Sequence, residues 1–494
     1  MSNIVELLLN DFSPTQVIVD QADVAPFCRD YKGYNVGSAQ AIIFPGSVED
    51  VQRLVSICRA HSIKIIPQGG NTSTNGGAVP DNVGDSIIVN MSRMNRIVDL
   101  DLGNNSVTVE AGVVLGDLNR YLAERGRWFP VSFGSEDSCQ IGGNVAMNSG
   151  GNNVLRYGMM RENVLGVEAV LGNGTVISNL RPLYKKCVGY DLGQLMIGSE
   201  GTLGIVTKAV LKLQYAATQT VTAWLACASL DDAVQILGTV RERLSVQLTA
   251  FEVISAFQRQ VLAKFSEKLK DPIASPYEWA VLVEFRDASP CSQLTEEVEA
   301  TLEAVLEQGL ASDAIVAANL AQRELFWQHR EAVLDANKAF GWTVGHDASV
   351  PVSRLPEFAA EVGRKLHAAY PDSHFIAAGH AGDGNIHLGV LFEKSAFGST
   401  AEFRKAALEV NSIVFEIADS LGGHFASEHG IGVLHTEAFS RYIPEENVEA
   451  MVQIKTALDP DNVMNPGKIF GMPVPMPHGG NCPAGDGLES GARG

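Results

Sequence analysis

The stretch Ile63-Lys64-Ile65-Ile66-Pro67-Gln68-Gly69-Gly70-Asn71-Thr72-Ser73 runs from an apolar strand straight into a glycine-rich loop. Two adjacent glycines let backbone N–H groups turn inward as an anion nest, and the Asn, Thr and Ser side chains add neutral donors. A pyrophosphate suits such a loop; a plain surface turn is the other reading, and this stretch alone leaves both open. Outward from it, Val48, Val51, Leu54, Val55 and Cys58 recur at helical spacing after the breaker Pro45-Gly46. Residues 86–90, 96–100 and 106–110 read as strands, and 115–125 as a helix.

A second glycine cluster follows: Gln140-Ile141-Gly142-Gly143-Asn144, then Asn148-Ser149-Gly150-Gly151, then Arg156-Tyr157-Gly158. Residues 133–158 are dense in Gly, Asn and Ser and read as one long loop, a type that is usually functional or disordered. Gly198-Ser199-Glu200-Gly201-Thr202-Leu203-Gly204 is a third cluster. One such loop is weak evidence, but three in one region point to a large cofactor approached closely by backbone. A Rossmann site is disfavoured. The G-x-G pairs opening at Gly172, Gly382, Gly430 and Gly485 all lack the third glycine. A P-loop is disfavoured too, because Gly467-Lys468 is followed by Ile469.

From about residue 218 the texture changes to repeated strand–helix–strand units. These are strand 221–227, a helix from Ser229 and strand 248–254; then strand 279–285, helix 293–306 and strand 314–318. Helix 319–340, strand 342–350 and helix 355–369 continue the pattern, which predicts a sheet with helices on one face. Within it lies His380-Ala381-Gly382-Asp383-Gly384-Asn385-Ile386-His387. Asp383-Gly384 is a favoured two-residue hairpin turn, and centring the hairpin there sets His380 opposite His387, with Cβ atoms about 5 Å apart. Such a pair is ready to ligate Zn²⁺ or a similar ion, or is merely a surface or core pair.

Histidine is concentrated here: His380, His387, His424, His429 and His435 are five of the chain's 11. Ser427-Glu428-His429-Gly430-Ile431-Gly432 offers Glu428 as a third, anionic ligand and His429 as a free base. Neighbours on a strand point to opposite faces, so the two share a site only if this stretch bends. Gly430 and Gly432 favour a bend; by spacing alone a helix-capping loop fits equally well.

The chain has 494 residues, long enough for a large core and about three domain-sized units. Its net charge of −20, with no Lys/Arg-rich block, argues against a nucleic-acid or anionic-membrane partner. Seven dispersed cysteines with no CxxC pair predict a reducing, cytoplasmic location. The first residues read as an amphipathic helix and not a signal peptide, and no uncharged apolar run reaches 18 residues. The last 24 residues contain seven Gly and four Pro, too many for a packed element, so a disordered tail is expected.

Taken together, the 67–73 loop, the 140–158 segment, Gly189-Tyr190-Asp191-Leu192 and 198–207 resemble the FAD-binding domain of the vanillyl-alcohol oxidase / p-cresol methylhydroxylase flavoprotein superfamily. The 380–387 and 427–432 motifs and Asn465-Pro466-Gly467-Lys468 resemble its branch of FAD-linked D-2-hydroxy acid dehydrogenases. That branch includes the D-lactate and D-2-hydroxyglutarate dehydrogenases and the glycolate oxidase flavin subunit. The similarity runs in order from about residue 37 to 470. It implies an α+β fold: a two-subdomain FAD-binding domain plus an antiparallel-sheet cap domain with helices. The expected division is 1–216 for an N-terminal helix and the FAD-binding domain, 217–425 for the cap, 426–470 for a segment returning to the FAD domain, and 471–494 for the tail.

The resemblance carries FAD contacts onto Pro67, Gly69, Gly70, Asn71, Thr72, Ser73, Gly142, Gly143, Asn148, Gly151, Gly158, Gly204 and Ile205. It carries metal ligation onto His380, His387 and Glu428, with Zn²⁺ the first choice and Mn²⁺ fitting the same ligands, and the catalytic base onto His429. The implied reaction takes a D-2-hydroxy acid to the 2-oxo acid, with hydride passing to flavin N5. Electrons then leave to an acceptor such as electron-transfer flavoprotein, a quinone or a cytochrome, and a homodimer is a further expectation. The FAD is expected to be non-covalent, because residues 67–80 hold neither His nor Cys and only Cys139 lies near the second glycine segment. A metal-dependent hydrolase of a nucleotide-like substrate, or a non-catalytic flavin subunit, are the rival readings.

Departures from the family bear on the substrate. The 2-hydroxyglutarate enzymes carry on the cap helix an Arg with a Thr four residues on, a Lys fifteen residues after the Arg, and an Asn two residues after the second metal His. Here the Arg is Arg330, but the other positions hold Leu334, Gly345 and Gly389. A second substrate carboxylate would lose one cation and two neutral donors, a costly loss once desolvated. The expectation is a D-lactate-like monocarboxylate whose carboxylate is held by Arg330, with Leu334 offering apolar surface and the glycines offering room. Replacement of the lost contacts by Lys338, His346 or another nearby group, and hence D-2-hydroxyglutarate as substrate, is the alternative.

Overall fold

The computed structural model describes residues 4–471, apart from 32 and 34; most of the expected tail lies outside the described residues. The N-terminal helix Ile4–Asp11 buries Ile4 and Leu8. The first glycine loop leaves strand Lys64–Gln68, which pairs in parallel with Ser86–Asn90 in a four-stranded sheet. Helix Val48–His61 packs on this sheet through Val51, Leu54, Val55 and Cys58, capped by Ser47. A second, five-stranded sheet is antiparallel throughout and contains Ser106–Glu110, Gly204–Lys212 and Val164–Leu171.

The 133–158 stretch is not one long loop: helices Ile141–Met147 and Val154–Tyr157 lie within it. Its glycines misled the reading because they serve packing. A Cβ at Gly142 would sit 2.6 Å from the Ala111 Cβ, so only glycine lets the Ile141–Met147 helix settle so close to its neighbour. Ile141 and Val145 of that helix are fully buried.

The seven-stranded antiparallel sheet that follows has the order Asp313–Val316, Gln219–Cys227, Trp279–Asp287, Leu248–Ser255, His374–Gly379, Asn385–Glu393, Gly341–Ser349. Both its faces are covered, not one. Val221, Ala223, Leu225 and Cys227 pack under helices Leu230–Leu244, Leu294–Glu307, Leu355–Ala369 and Thr400–Ser420. Trp224 and Ala226 point the other way, to helices Ala256–Phe265, Leu320–Glu331 and Val333–Phe340. A strand buried on both faces reads as an unbroken apolar run, and that hides the second layer from periodicity. The expected helix 319–340 is two helices, with Ala332 as the joint.

The chain then returns. The Ile65 and Asn465 N–H groups bond the Val463 and Ile65 carbonyls, stitching residues 463–465 beside the strand that feeds the first glycine loop.

Candidate active site

The hairpin carrying the two histidines is built differently from the two-residue turn expected. The last paired residues are Ala378 and His387, so 380–384 is a five-residue loop and His380 is the diagonal neighbour of His387. Tertiary bonds pull the loop out: the Gly382 N–H bonds the Phe251 carbonyl at 2.9 Å and Arg241 Nη2 donates to the Gly382 carbonyl at 2.6 Å. The two rings nevertheless meet edge to face, with centroids 5.3 Å apart.

Residues 427–429 form a bend, as sharing one site requires. Glu428 Oε1 lies 3.6 Å from His380 Nε2, and Oε2 lies 3.9 Å from His387 Nε2. Among the described residues, His380, His387 and Glu428 are the one group of potential ligands close enough to share an ion. Bonds of 2.0–2.1 Å in a tetrahedron separate ligand atoms by about 3.4 Å, so this donor set fits a divalent ion such as Zn²⁺ with a small inward shift. The His429 ring stacks on His387 at 5.9 Å with planes 6° apart, and its side chain is 42% exposed, facing open space beside the three ligands. His424 and His435 take no part: His424 pairs its backbone with Ser349, and His435 meets Phe415 edge to face and Phe425 at a tilt.

Two buried carboxylates stand behind the histidines, and the sequence reading singled out neither. Glu252 accepts from His380 Nδ1 at 2.6 Å and from Arg330 Nε at 2.8 Å. Burial raises its pKa, but His380 and Arg330 outweigh that and bring it to about 2. Burial lowers the His380 pKa, yet Glu252 and Glu428 lift it to about 9 in the absence of a metal charge. For His387 burial dominates, joined by repulsion from Arg330 and His380, and its pKa falls well below the ordinary value. Asp347, directly opposite His387 in the sheet, accepts three loop N–H groups and lies 3.6 Å from His429 Nδ1. The available signal is a lone carboxylate within each strand, a costly placement in a buried sheet unless paired.

The substrate positions sort unevenly. Arg330 is in the site, with Nη2 3.4 Å from His380 Nε2. Leu334 lies beyond the Ala332 joint, on the next helix, and is 69% exposed. It therefore does not share a continuous helix face with Arg330. Gly345 has open space where a side chain would project. Gly389 does not offer the expected room, because a Cβ there would lie 1.9 Å from the Val344 carbonyl oxygen; the close approach of the paired strand, with Gly345 opposite, needs the glycine. His346 cannot stand in for a lost contact. It points to the opposite sheet face against Phe415 and Asn411, where burial lowers its pKa to about 4.

The three glycine clusters converge. A Cβ at Gly69 would touch Gly143, one at Gly70 would strike the Ser138 carbonyl, and one at Gly201 would press on Pro67. Gly143 opens onto empty space, and the buried Asn71 Oδ1 and Gln140 Oε1 have no hydrogen-bond partner. An open cradle lined by unpaired polar atoms and adjustable backbone fits a large polar cofactor, with Thr72 and Ser73 on the same loop. Other expected contact residues also have partners within the protein. The Gly151 N–H donates to Glu428 Oε1 at 3.0 Å, Ile205 is core, and Gly204 abuts the Val170 carbonyl. Asn148 and Gly158, at positive φ, end the two helices of this segment.

Comparison with known proteins agrees with this architecture. Residues 39–179 match the model of the FAD binding domain, and 217–469 that of the FAD linked oxidases, C-terminal domain. The chain belongs to the FAD-linked oxidase family and is an FAD-dependent oxidoreductase. Among its relatives, the probable mitochondrial D-2-hydroxyglutarate dehydrogenase of Oryza sativa subsp. indica is 34% identical over 455 residues, 92% of this chain and 79% of that one. The D-2-hydroxyglutarate dehydrogenase of Stutzerimonas stutzeri is 33% identical, covering 92% and 96%. The fold is that of p-cresol methylhydroxylase (TM-score 0.74, 18% identity, 95% of this chain and 97% of that one). Alkyldihydroxyacetonephosphate synthase shares it too (TM-score 0.70, 18% identity, 94% and 84%). Among the described residues no helix is long and apolar enough to cross a membrane.

Proposed function

We propose that the protein oxidises a D-2-hydroxy acid to the 2-oxo acid, and that the preferred acid is a monocarboxylate of the D-lactate type. The observation that carries the reading is the convergence of His380, His387 and Glu428 beside an accessible His429 and the Arg330 guanidinium. FAD held by the glycine cradle supplies the hydride acceptor, and a divalent ion, Zn²⁺ before Mn²⁺, supplies Lewis acidity. His429 receives the α-hydroxyl proton at a ring nitrogen, its ring held parallel to His387 by stacking. Arg330 binds the substrate carboxylate while Glu252 fixes its direction through Nε. Glu252 also holds His380 by Nδ1, leaving Nε2 for ligation.

Residues 1–216 form the flavin-binding unit in this reading, 217–425 the cap, and 426–470 the returning segment that brings Glu428 and His429 beneath it. Electrons leave to an external acceptor such as electron-transfer flavoprotein, a quinone or a cytochrome. A reducing, cytoplasmic location is part of the same proposal, resting on the dispersed spacing of the seven cysteines.

The monocarboxylate preference rests on Gly345, which offers a distal carboxylate no side chain, and on His346, which is turned away from the site to Phe415 and Asn411. D-2-hydroxyglutarate is the second reading, favoured by the names of the relatives. Comparing kcat/KM for D-lactate, D-2-hydroxybutyrate, D-mandelate and D-2-hydroxyglutarate decides. A diacid preferred tenfold or more overturns the pocket reading and leaves the reaction class standing. Failure of every D-2-hydroxy acid to bleach the flavin anaerobically overturns the reaction.

A further inference from the structure

Five of the six amides from Ser427 to Gly432 end on just two carboxylates, one from each side of the active-site cleft. Asp347 Oδ2, on the cap sheet, accepts the N–H groups of Ser427, Glu428 and His429 at 3.1, 2.7 and 2.8 Å. Glu200, in the third glycine cluster, accepts Ile431 N–H on Oε1 and Gly432 N–H on Oε2, each at 2.7 Å. Both carboxylates are buried. Between the two grips lies Gly430 at φ +74°, where a Cβ would sit 2.7 Å from Glu200 Oε1 and 2.6 Å from Met147 Cε. No ordinary side chain fits that turn.

We propose that Asp347 and Glu200 are positioning residues that clamp this loop, setting Glu428 and His429 against the histidines of the cap. The metal and base roles come from the proposed function, and the clamp is argued from geometry alone. Asp347 also stands behind both rings, with His387 Nδ1 3.9 Å from Oδ1 and His429 Nδ1 3.6 Å from Oδ2. Its remaining acceptor is used by Asn385 Nδ2 at 3.0 Å. A neutral amide of the same shape cannot replace it: either orientation of an Asn sets its NH₂ against N–H donors. Outer groups that orient ligands typically govern metal affinity by 10–100-fold.

The test uses FAD-loaded wild type, Asp347→Asn and Glu200→Gln. Hydrogen exchange read by mass spectrometry over residues 425–435 requires neither metal nor substrate. Asp347→Asn is expected to speed exchange at 427–429 about tenfold or more, and Glu200→Gln at 431–432. Zn²⁺ titration against a chromophoric chelator should show affinity weakened about 10–100-fold in Asp347→Asn. In the same variant kcat for D-lactate should fall at least about tenfold, with KM changed less than about threefold and FAD content kept. Exchange within twofold of wild type in both variants overturns the clamp. Faster exchange with unchanged Zn²⁺ affinity and kcat overturns the positioning role. If Asp347→Asn fails to retain FAD, Glu200→Gln is judged alone, by exchange at 431–432 and kcat. A wild type that neither binds Zn²⁺ nor oxidises a D-2-hydroxy acid defeats the proposed function instead, while exchange still judges the clamp.

Discussion

Replacing Glu252 by Gln tests the electrostatics of the cap side of the site. Glu252 is 1% exposed and is the shared acceptor for His380 Nδ1 and Arg330 Nε. Gln keeps the volume but offers one oxygen for two donors, so one N–H faces another N–H. It also leaves Arg330, whose side chain is 15% exposed, without its counter-ion. Removing one partner of a buried pair typically costs about 3–5 kcal/mol, since the remaining charge stays desolvated. Part of that is recovered if Arg330 swings away, and then it can no longer hold a substrate carboxylate. Loss of the Nδ1 bond frees the His380 ring to rotate. That weakens metal affinity about 10–100-fold, equivalent to about 1.4–2.7 kcal/mol. The assay pairs chelator competition for the metal with kcat/KM for D-lactate, and the expected signature is a loss in both with the flavin spectrum intact. Glu252→Gln with metal affinity and kcat/KM within twofold of wild type would refute the reasoning.

Four further outcomes are expected. Chelation, His380→Ala or His387→Ala should abolish turnover while the flavin bands near 375 and 450 nm, expected of any oxidised flavin, persist, because the ligands lie outside the glycine cradle; full activity in chelated enzyme would remove the three-ligand assignment. Acid precipitation should leave the yellow colour in the supernatant, since Cys139 is buried and burial pushes its thiol up to about 11; a yellow pellet would show a covalent link. Gly430→Ala should cut kcat at least about tenfold, combining a left-handed backbone cost of about 1–2 kcal/mol with displacement of Glu200; a crystal structure or kcat unchanged from wild type would contradict it. The fourth concerns acid stability. Burial raises the pKa of Glu284, but the Arg286 and Arg323 guanidiniums outweigh that and hold it below the ordinary range. Its stabilisation is therefore present above about pH 4.5 and is lost as pH falls through the folded value. Glu284→Gln should unfold at lower denaturant at pH 7, and the gap should narrow toward pH 3; a gap that widens on acidification would reverse the sign.

What the sequence by itself determined is chemistry carried by short motifs. The glycine loops, the two histidines of 380–387 and the Glu428-His429 pair were legible as candidates, because residue type and short spacing narrow the chemistry, while their roles came from the family resemblance. Strand and helix placement followed wherever one face meets solvent or a breaker or cap residue marks an end, as at Pro45-Gly46 and Ser229. Tertiary structure alone decided the rest. The hairpin register departs from its local turn signal because Phe251 and Arg241 capture the loop. The second layer of helices was invisible because strands buried on both faces carry no alternation. The acids that aim the site act from far along the chain: Glu252 is 128 residues from His380, Asp347 is 82 from His429, and Glu200 is 231 from Ile431. A buried carboxylate gains its meaning from the donors that reach it. Those donors come from separate strands and loops, and only the folded chain brings them together.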